Sequence, residues 1–177
     1  MPLADITTIE QLHRNLNMGP GYGGYAELVK AIKLPKKEWE GFTLWKKERY
    51  SRNCLVSCDS YEMLLVCWLA NQSSPIHSYD FQEGWIKVLE GELTIETYLV
   101  NKKDKTASLK ETIQLKKGES TYLNDSMGFH KVYTKDKKSV SLHLHIEKVK
   151  RWEEFDPNTK QFKITVPHYD NATEYCE

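Results

Sequence analysis

The sequence predicts a mainly β protein, a small antiparallel barrel of jelly-roll type behind a short helical N-terminal region. Three observations carry that expectation. From Leu44 onward, runs rich in β-branched and aromatic residues alternate with turn signals roughly every ten residues, the spacing of sandwiches and barrels. No helical periodicity separates those runs, which excludes strand–helix–strand units. Before Leu44 the apolar residues follow a helical spacing instead. A chain of 177 residues fits one domain with a real core. The expected organisation is a single domain over 1–177, with helices in 1–43, the barrel in 44–167 and a tail in 168–177.

The elements follow in order. Thr7 or Thr8 caps a helix reaching about Asn17, with Ile9, Leu12 and Leu16 on one face. "GPGYGG" (19–24) breaks it. "YAELVKAIKL" is a second amphipathic stretch, and Pro35 stops it and opens a short third, "KKEWEGF". Strands are expected near 49–57, 61–70, 75–80, 84–90, 92–100, 108–115, 119–124, 129–135, 138–146 and 161–166. Turns fall at "CDS", "LEGE", "NKKDK", "KKGES", "LNDSMG" and "TKDKK". Trp68 and Trp85 are expected in the barrel core. No internal repeat or low-complexity segment is present.

Composition excludes several functions. The 25 basic residues balance 25 acidic ones, so no electrostatic case exists for nucleic acid or an anionic membrane. The clusters Lys102–Lys105 and Lys116–Lys117 read as solvated loops. The N-terminus lacks the apolar stretch of a signal peptide, and no run approaches the ~18 apolar residues of a membrane span. Cys54 and Cys58 form a C-x3-C pair that nothing completes into a zinc site. All four cysteines, Cys54, Cys58, Cys67 and Cys176, are therefore expected as reduced thiols in a cytoplasmic protein. The sequons at Asn71, Asn124 and Asn171 read as chance matches.

The chemistry concentrates in the strands. Residues two apart on a strand share a face, so His77 and Tyr79 point one way. His130 opens a strand after a glycine-containing turn. Ser141, His143 and His145 line one face of "SVSLHLH". Small barrels use their inner mouth as a pocket, and four of the six histidines fall where they can converge on it.

"RYSRN" (49–53), "MLLVCW" (63–68), "IHSYDFQEGWIKVLEGEL" (76–93), "YLNDSMGFHKV" (122–132) and "SVSLHLH" (139–145) together resemble the cysteine dioxygenases, thiol oxidisers of the cupin superfamily. Order and spacing hold from about residue 40 to "EEFD" at 153–156. The resemblance implies a cupin-type barrel and one ferrous ion per chain, held by three histidines. Cysteine would chelate the iron, O2 would oxidise the sulfur to a sulfinic acid, and an arginine would hold the carboxylate. It further implies a small thiol and O2 as partners, no nucleic acid or membrane, and a monomer.

Carried over residue by residue, His77 and His130 match two iron ligands, Arg52 matches the carboxylate anchor and Tyr50 its neighbour. Ser141 and His143 match two members of a Ser–His–Tyr relay. Three positions depart. Tyr79 stands where the second histidine ligand belongs, His145 where the relay tyrosine belongs, and Gly84 where animal members carry a crosslinking cysteine. The loop after the relay reads "IEK" rather than "SPP". Three candidates remain open for the third ligand: His145 from the opposite wall, Tyr79 as a phenolate, and Glu83, four residues after Tyr79, which would complete a 2-His-1-carboxylate set. Weak or absent metal binding is the further alternative. Asp80 has the wrong parity.

Overall fold

The computed structural model describes residues 3–177. Among these residues three short α-helices precede twelve strands: α1 (Ile9–Met18), α2 (Gly24–Ala31), α3 (Lys36–Trp39), β1 (Ser51–Cys58), β2 (Tyr61–Trp68), β3 (Ile76–His77), β4 (Glu83–Glu90), β5 (Glu92–Asn101), β6 (Thr106–Lys116), β7 (Ser120–Asn124), β8 (Phe129–Tyr133), β9 (Ser139–Ile146), β10 (Trp152–Asp156), β11 (Gln161–Thr165) and β12 (Asn171–Ala172). They form two six-stranded sheets, ordered β12-β1-β2-β9-β4-β7 and β11-β10-β3-β8-β5-β6.

Local chemistry explains the boundaries. Thr8 caps α1 in a reciprocal box with Gln11. The helices do not enter the barrel. Leu12, Leu16, Leu28 and Trp39 pack with Met63, Leu65, Leu142 and Leu144 on the outer face of one sheet. Leu64, Val66, Trp68, Ile86 and Val88 turn inward to a second cluster with Leu93, Ile95 and Val132. β2 is buried on both faces, which is why "MLLVCW" is an unbroken apolar run rather than an alternating one. Lys87 is buried on the outer face, where its ammonium donates to the carbonyls of Val29 (2.8 Å) and Lys30 (3.2 Å) at the end of α2. That bond ties the helical layer to the barrel.

Several expectations need correction. Trp85 lies on the outer face, partly buried against the helical cluster, while Trp68 is in the barrel core. Strand β3 is only two residues long, because Asp80 and Phe81 adopt positive φ of 55° and 65° and leave the extended region. Strand β10 falls where no strand is expected. Its charged residues, "WEEFD", hide a pattern in which only Trp152 and Phe155 are buried.

The four cysteines are not all reduced. Cys54 and Cys176 form a disulfide across 122 positions, while Cys58 and Cys67 are free. The physical reason is the tail. β12 pairs in parallel with β1 through Asn53 and Cys54, and the Tyr175 carbonyl accepts from Ser57 N–H at 3.0 Å, which brings Cys176 against the fully buried Cys54. The last ten residues are thus a clamp on the barrel edge rather than a loose tail.

Candidate active site

Strand register in both sheets builds the pocket. Glu62, Leu64 and Val66 of β2 pair with His145, His143 and Ser141 of β9. Gly84, Ile86 and Val88 of β4 pair with the same three residues from the other side. β1 contributes Arg52 through its pairing with Val66. In the second sheet His77 and His130 are direct partners across β3 and β8.

The segment around His130 is shaped by its neighbours. Asn124 caps a 3-10 turn by accepting from Met127 N–H. The Asp125 carboxylate accepts from the backbone N–H of Tyr79 (2.7 Å) and Phe81 (2.6 Å), fixing the bend after His77. Gly128 has φ of 107°, and a Cβ there would sit 2.3 Å from the Tyr98 carbonyl oxygen. Only glycine lets the chain pass and deliver His130. This is the physical content of "NDSMGFH".

The side chains meet in one cavity of about 30 Å³, lined by Tyr50, Arg52, Trp68, His77, Tyr79, His130, His143, His145 and Trp152 among others. The His77 and His130 rings are 4.2 Å apart between centroids. Tyr79 touches both His130 (4.1 Å) and His145 (4.8 Å). His77 Nδ1 lies 2.8 Å from the Pro75 carbonyl. A carbonyl only accepts, so Nδ1 carries the proton and Nε2 keeps its lone pair. His130 Nε2 and His145 Nε2 are buried without a partner. Burial pushes His77 down to about 4 and holds His130 and His143 well below the usual imidazole range, so these three rings are neutral. Burial also raises the Tyr79 phenol, which keeps it protonated. Trp68 N–H donates to Ser141 Oγ (3.0 Å), leaving the Ser141 hydroxyl to donate to His143 Nε2 (2.9 Å).

Sequence reasoning missed several groups here. Glu62 is 1% exposed, and its carboxylate accepts from His145 Nδ1 at 2.7 Å and Tyr169 O–H at 2.8 Å, with an Arg52 nitrogen at 3.5 Å. Desolvation would raise this carboxyl, but the hydrogen bond from His145, then Arg52 and the Tyr169 hydroxyl, outweigh it and hold it at about 2. Trp152 carries the Arg52 guanidinium 5.1 Å above its ring and lies 5.3 Å from His77. A wider recess of about 310 Å³, walled by Arg49, Tyr50, Arg52, Trp152, Glu154 and His168, shares Tyr50, Arg52 and Trp152 with the cavity. The one readable signal was Glu62, a lone acid in the apolar run "YEMLLVCW".

Of the expected site residues, Arg52, Tyr50, His77, Tyr79, His130, His143 and His145 line the cavity, and Ser141 supports it. Glu83 does not. Its carboxylate accepts from Tyr122 O–H at 2.6 Å in a separate surface recess. The two positive-φ residues after Tyr79 reverse the strand parity that would have aimed it inward. The donor chemistry fits a metal at two positions, His77 and His130. It does not fit a three-ligand set of the expected kind: among the described residues, no three His, Cys, Asp or Glu side chains converge closely enough to hold a metal ion. Tyr79 occupies the place beside His130 with a neutral phenol.

A cupin-type β-barrel with a histidine-lined mouth is the class that this fold and site define. The chain belongs to the cysteine dioxygenase type I family, whose profile matches residues 10–158. Membership places it among oxygenase-type enzymes at the level of the family. Human cysteine dioxygenase type 1 is 27% identical over 145 residues, covering 78% of this chain and 72% of its own. The Danio rerio enzyme of the same name is 25% identical over 137 residues, covering 75% and 68%. A protein with a double-stranded β-helix domain from Klebsiella pneumoniae superposes with a TM-score of 0.50 at 10% identity, over 72% of this chain and 94% of its own. That likeness concerns the fold alone. Among the described residues no helix is long and apolar enough to cross a membrane.

Proposed function

We propose that the chain oxidises cysteine, or a related small thiol bearing a carboxylate, with O2 to the sulfinic acid. The observation that carries this reading is the His77–His130 pair in a cavity that Arg52 also lines. The inner cavity has room for on the order of one or two waters. A cysteine-sized ligand therefore spans cavity and recess, with its thiol end toward the imidazoles. The Arg52 guanidinium takes the carboxylate with donors that Glu62 leaves free. Tyr50 stacks on Trp68 at 4.5 Å, and burial keeps its phenol protonated, so it presents a neutral wall to that carboxylate. Ferrous iron, when bound, would supply thiol coordination and the redox chemistry, and His77 and His130 are the residues here that would hold it. His143, neutral and tied to Ser141, keeps a polar but uncharged surface beside the thiol. A monomer in the cytoplasm completes the proposal. The Cys54–Cys176 disulfide is the feature at odds with that compartment, where thiol buffers keep such pairs reduced.

The test is oxygen uptake by iron-supplemented protein with cysteine, matched by chromatographic detection of cysteine sulfinate. One-to-one stoichiometry is expected, with Arg52→Ala raising KM about ten- to a hundredfold for the loss of a charge-assisted bond. Iron-loaded protein that shows neither oxygen uptake nor sulfinate overturns the reading. Tyr79 favours a second reading: a protein that binds a thiol amino acid without turning it over. Its signature is a rise in Tm with cysteine and no oxygen uptake.

A further inference from the structure

We infer that Glu62 is a positioning residue of this pocket, fixing the His145 ring so that its Nε2 lone pair is presented to a hydrogen-bond donor of the bound ligand. The inference rests on the pocket being the thiol site proposed above. Its basis is geometric. Glu62 and His145 are cross-strand partners on β2 and β9, so their side chains leave the sheet side by side. The carboxylate lies 2.7 Å from His145 Nδ1. An ionised carboxylate has no proton to give, so the Nδ1 proton belongs to the imidazole. In the neutral ring the opposite nitrogen is then a lone-pair acceptor. That nitrogen is buried without a partner on a ring only 4% exposed that lines the ligand cavity. A buried, unpaired acceptor is costly, and a ligand S–H or N–H reaching it relieves the cost.

Glu62 is itself held by groups from three directions. Tyr169 of the C-terminal clamp donates at 2.8 Å, Arg52 of β1 approaches at 3.5 Å, and His145 arrives from β9. A carboxylate has about four acceptor sites and can serve all three donors. Glutamine offers one oxygen and adds two competing donors. Gly84, the β4 partner of His145, completes the arrangement. A Cβ there would lie 3.0 Å from His145 Cδ2 and 2.8 Å from the Leu144 carbonyl oxygen, so the bare backbone leaves the ring its place.

The test reads the ring directly. Nitrogen-15 NMR of histidine-labelled full-length protein, with His145 assigned through His145→Gln, reports which ring nitrogen carries the proton. The proton is expected on Nδ1 with a bare Nε2. Glu62→Gln should shift that tautomer balance and weaken cysteine binding, read by thermal shift and calorimetry, about tenfold. Glu62→Asp, which keeps the charge, should restore part of both. A wild-type ring protonated on Nε2 overturns the inference and needs no variant to fold. So does a Glu62→Gln protein with unchanged ring spectrum and unchanged affinity. An Nδ1–H ring without any cysteine binding supports Glu62's role and overturns the thiol reading instead. Cysteine binding with an Nε2–H ring does the reverse.

Discussion

Replacing Gly84 by alanine adds one methyl group at a crowded point beside the pocket. The new Cβ would lie 2.8 Å from the Leu144 carbonyl oxygen, 3.0 Å from His145 Cδ2 and 3.4 Å from Tyr79 Cε2. The first contact is with backbone inside the β4–β9 ladder, where Gly84 pairs with His145, so relief requires the strands to part or the rings to move. Overpacking of this kind costs about 1–3 kcal/mol. For a domain of this size each kcal/mol shifts Tm by roughly 2–4 °C, so a fall of about 2–12 °C is expected. Urea denaturation should show a lower midpoint with an unchanged m-value, since the surface exposed on unfolding is the same. Displacing His145 also breaks its bond to Glu62, so cysteine affinity should fall with stability. A Gly84→Ala protein within about 0.5 kcal/mol of wild type, the range of ordinary surface changes, would refute the close approach of β4 to His145.

Two further outcomes follow from the same groups. His77 sits at about 4 in the folded chain against 6.5 ordinarily, so between those values the unfolded chain binds a proton that the folded one refuses. Stability therefore falls as pH drops through that window, by on the order of 2 kcal/mol at pH 4.5, and Glu62 adds a loss in the same direction between 4.5 and about 2. Urea midpoints at pH 7, 5.5 and 4.5 check this, and a flat profile, with His77→Asn no different from wild type, would contradict it. Reduction of Cys54–Cys176, or Cys176→Ser, opens a 122-residue loop worth up to about 5 kcal/mol by chain entropy. A lower Tm and faster proteolysis within 168–177 are expected; equal Tm with and without reductant would show that the disulfide does not clamp the tail.

Much of this architecture was legible because alternation and turn chemistry are local. Thr8, "GPGYGG" and "LEGE" mark the boundaries where the chain bends. The parity of Ser141, His143 and His145 holds in β9, which pairs with β2 without a bulge there, so the three share one face of the strand. Glu83 failed because parity across a bend depends on φ at Asp80 and Phe81, which nothing in those residue types announces. Strand β10 failed because its pattern of burial is set by pairing with β3 and β11, not by its own residues. The Cys54–Cys176 bond spans most of the chain and depends on where β12 docks, a tertiary outcome invisible to spacing. Glu62 was visible as a lone acid among apolar residues, but its partners come from β1, β9 and the C-terminal segment.

The central claim is that the pocket offers a metal two imidazoles, His77 and His130, with the neutral phenol of Tyr79 where a third would complete the set. The most direct measurement is ferrous iron bound per chain after anaerobic dialysis against a weak chelator, for wild type and Tyr79→His side by side. Losing a ligand should cost at least the 10–100-fold that supporting groups alone are worth, so wild type should retain well under one equivalent and Tyr79→His close to one. A wild-type protein that keeps a full equivalent, with Tyr79→His no tighter, would contradict the account.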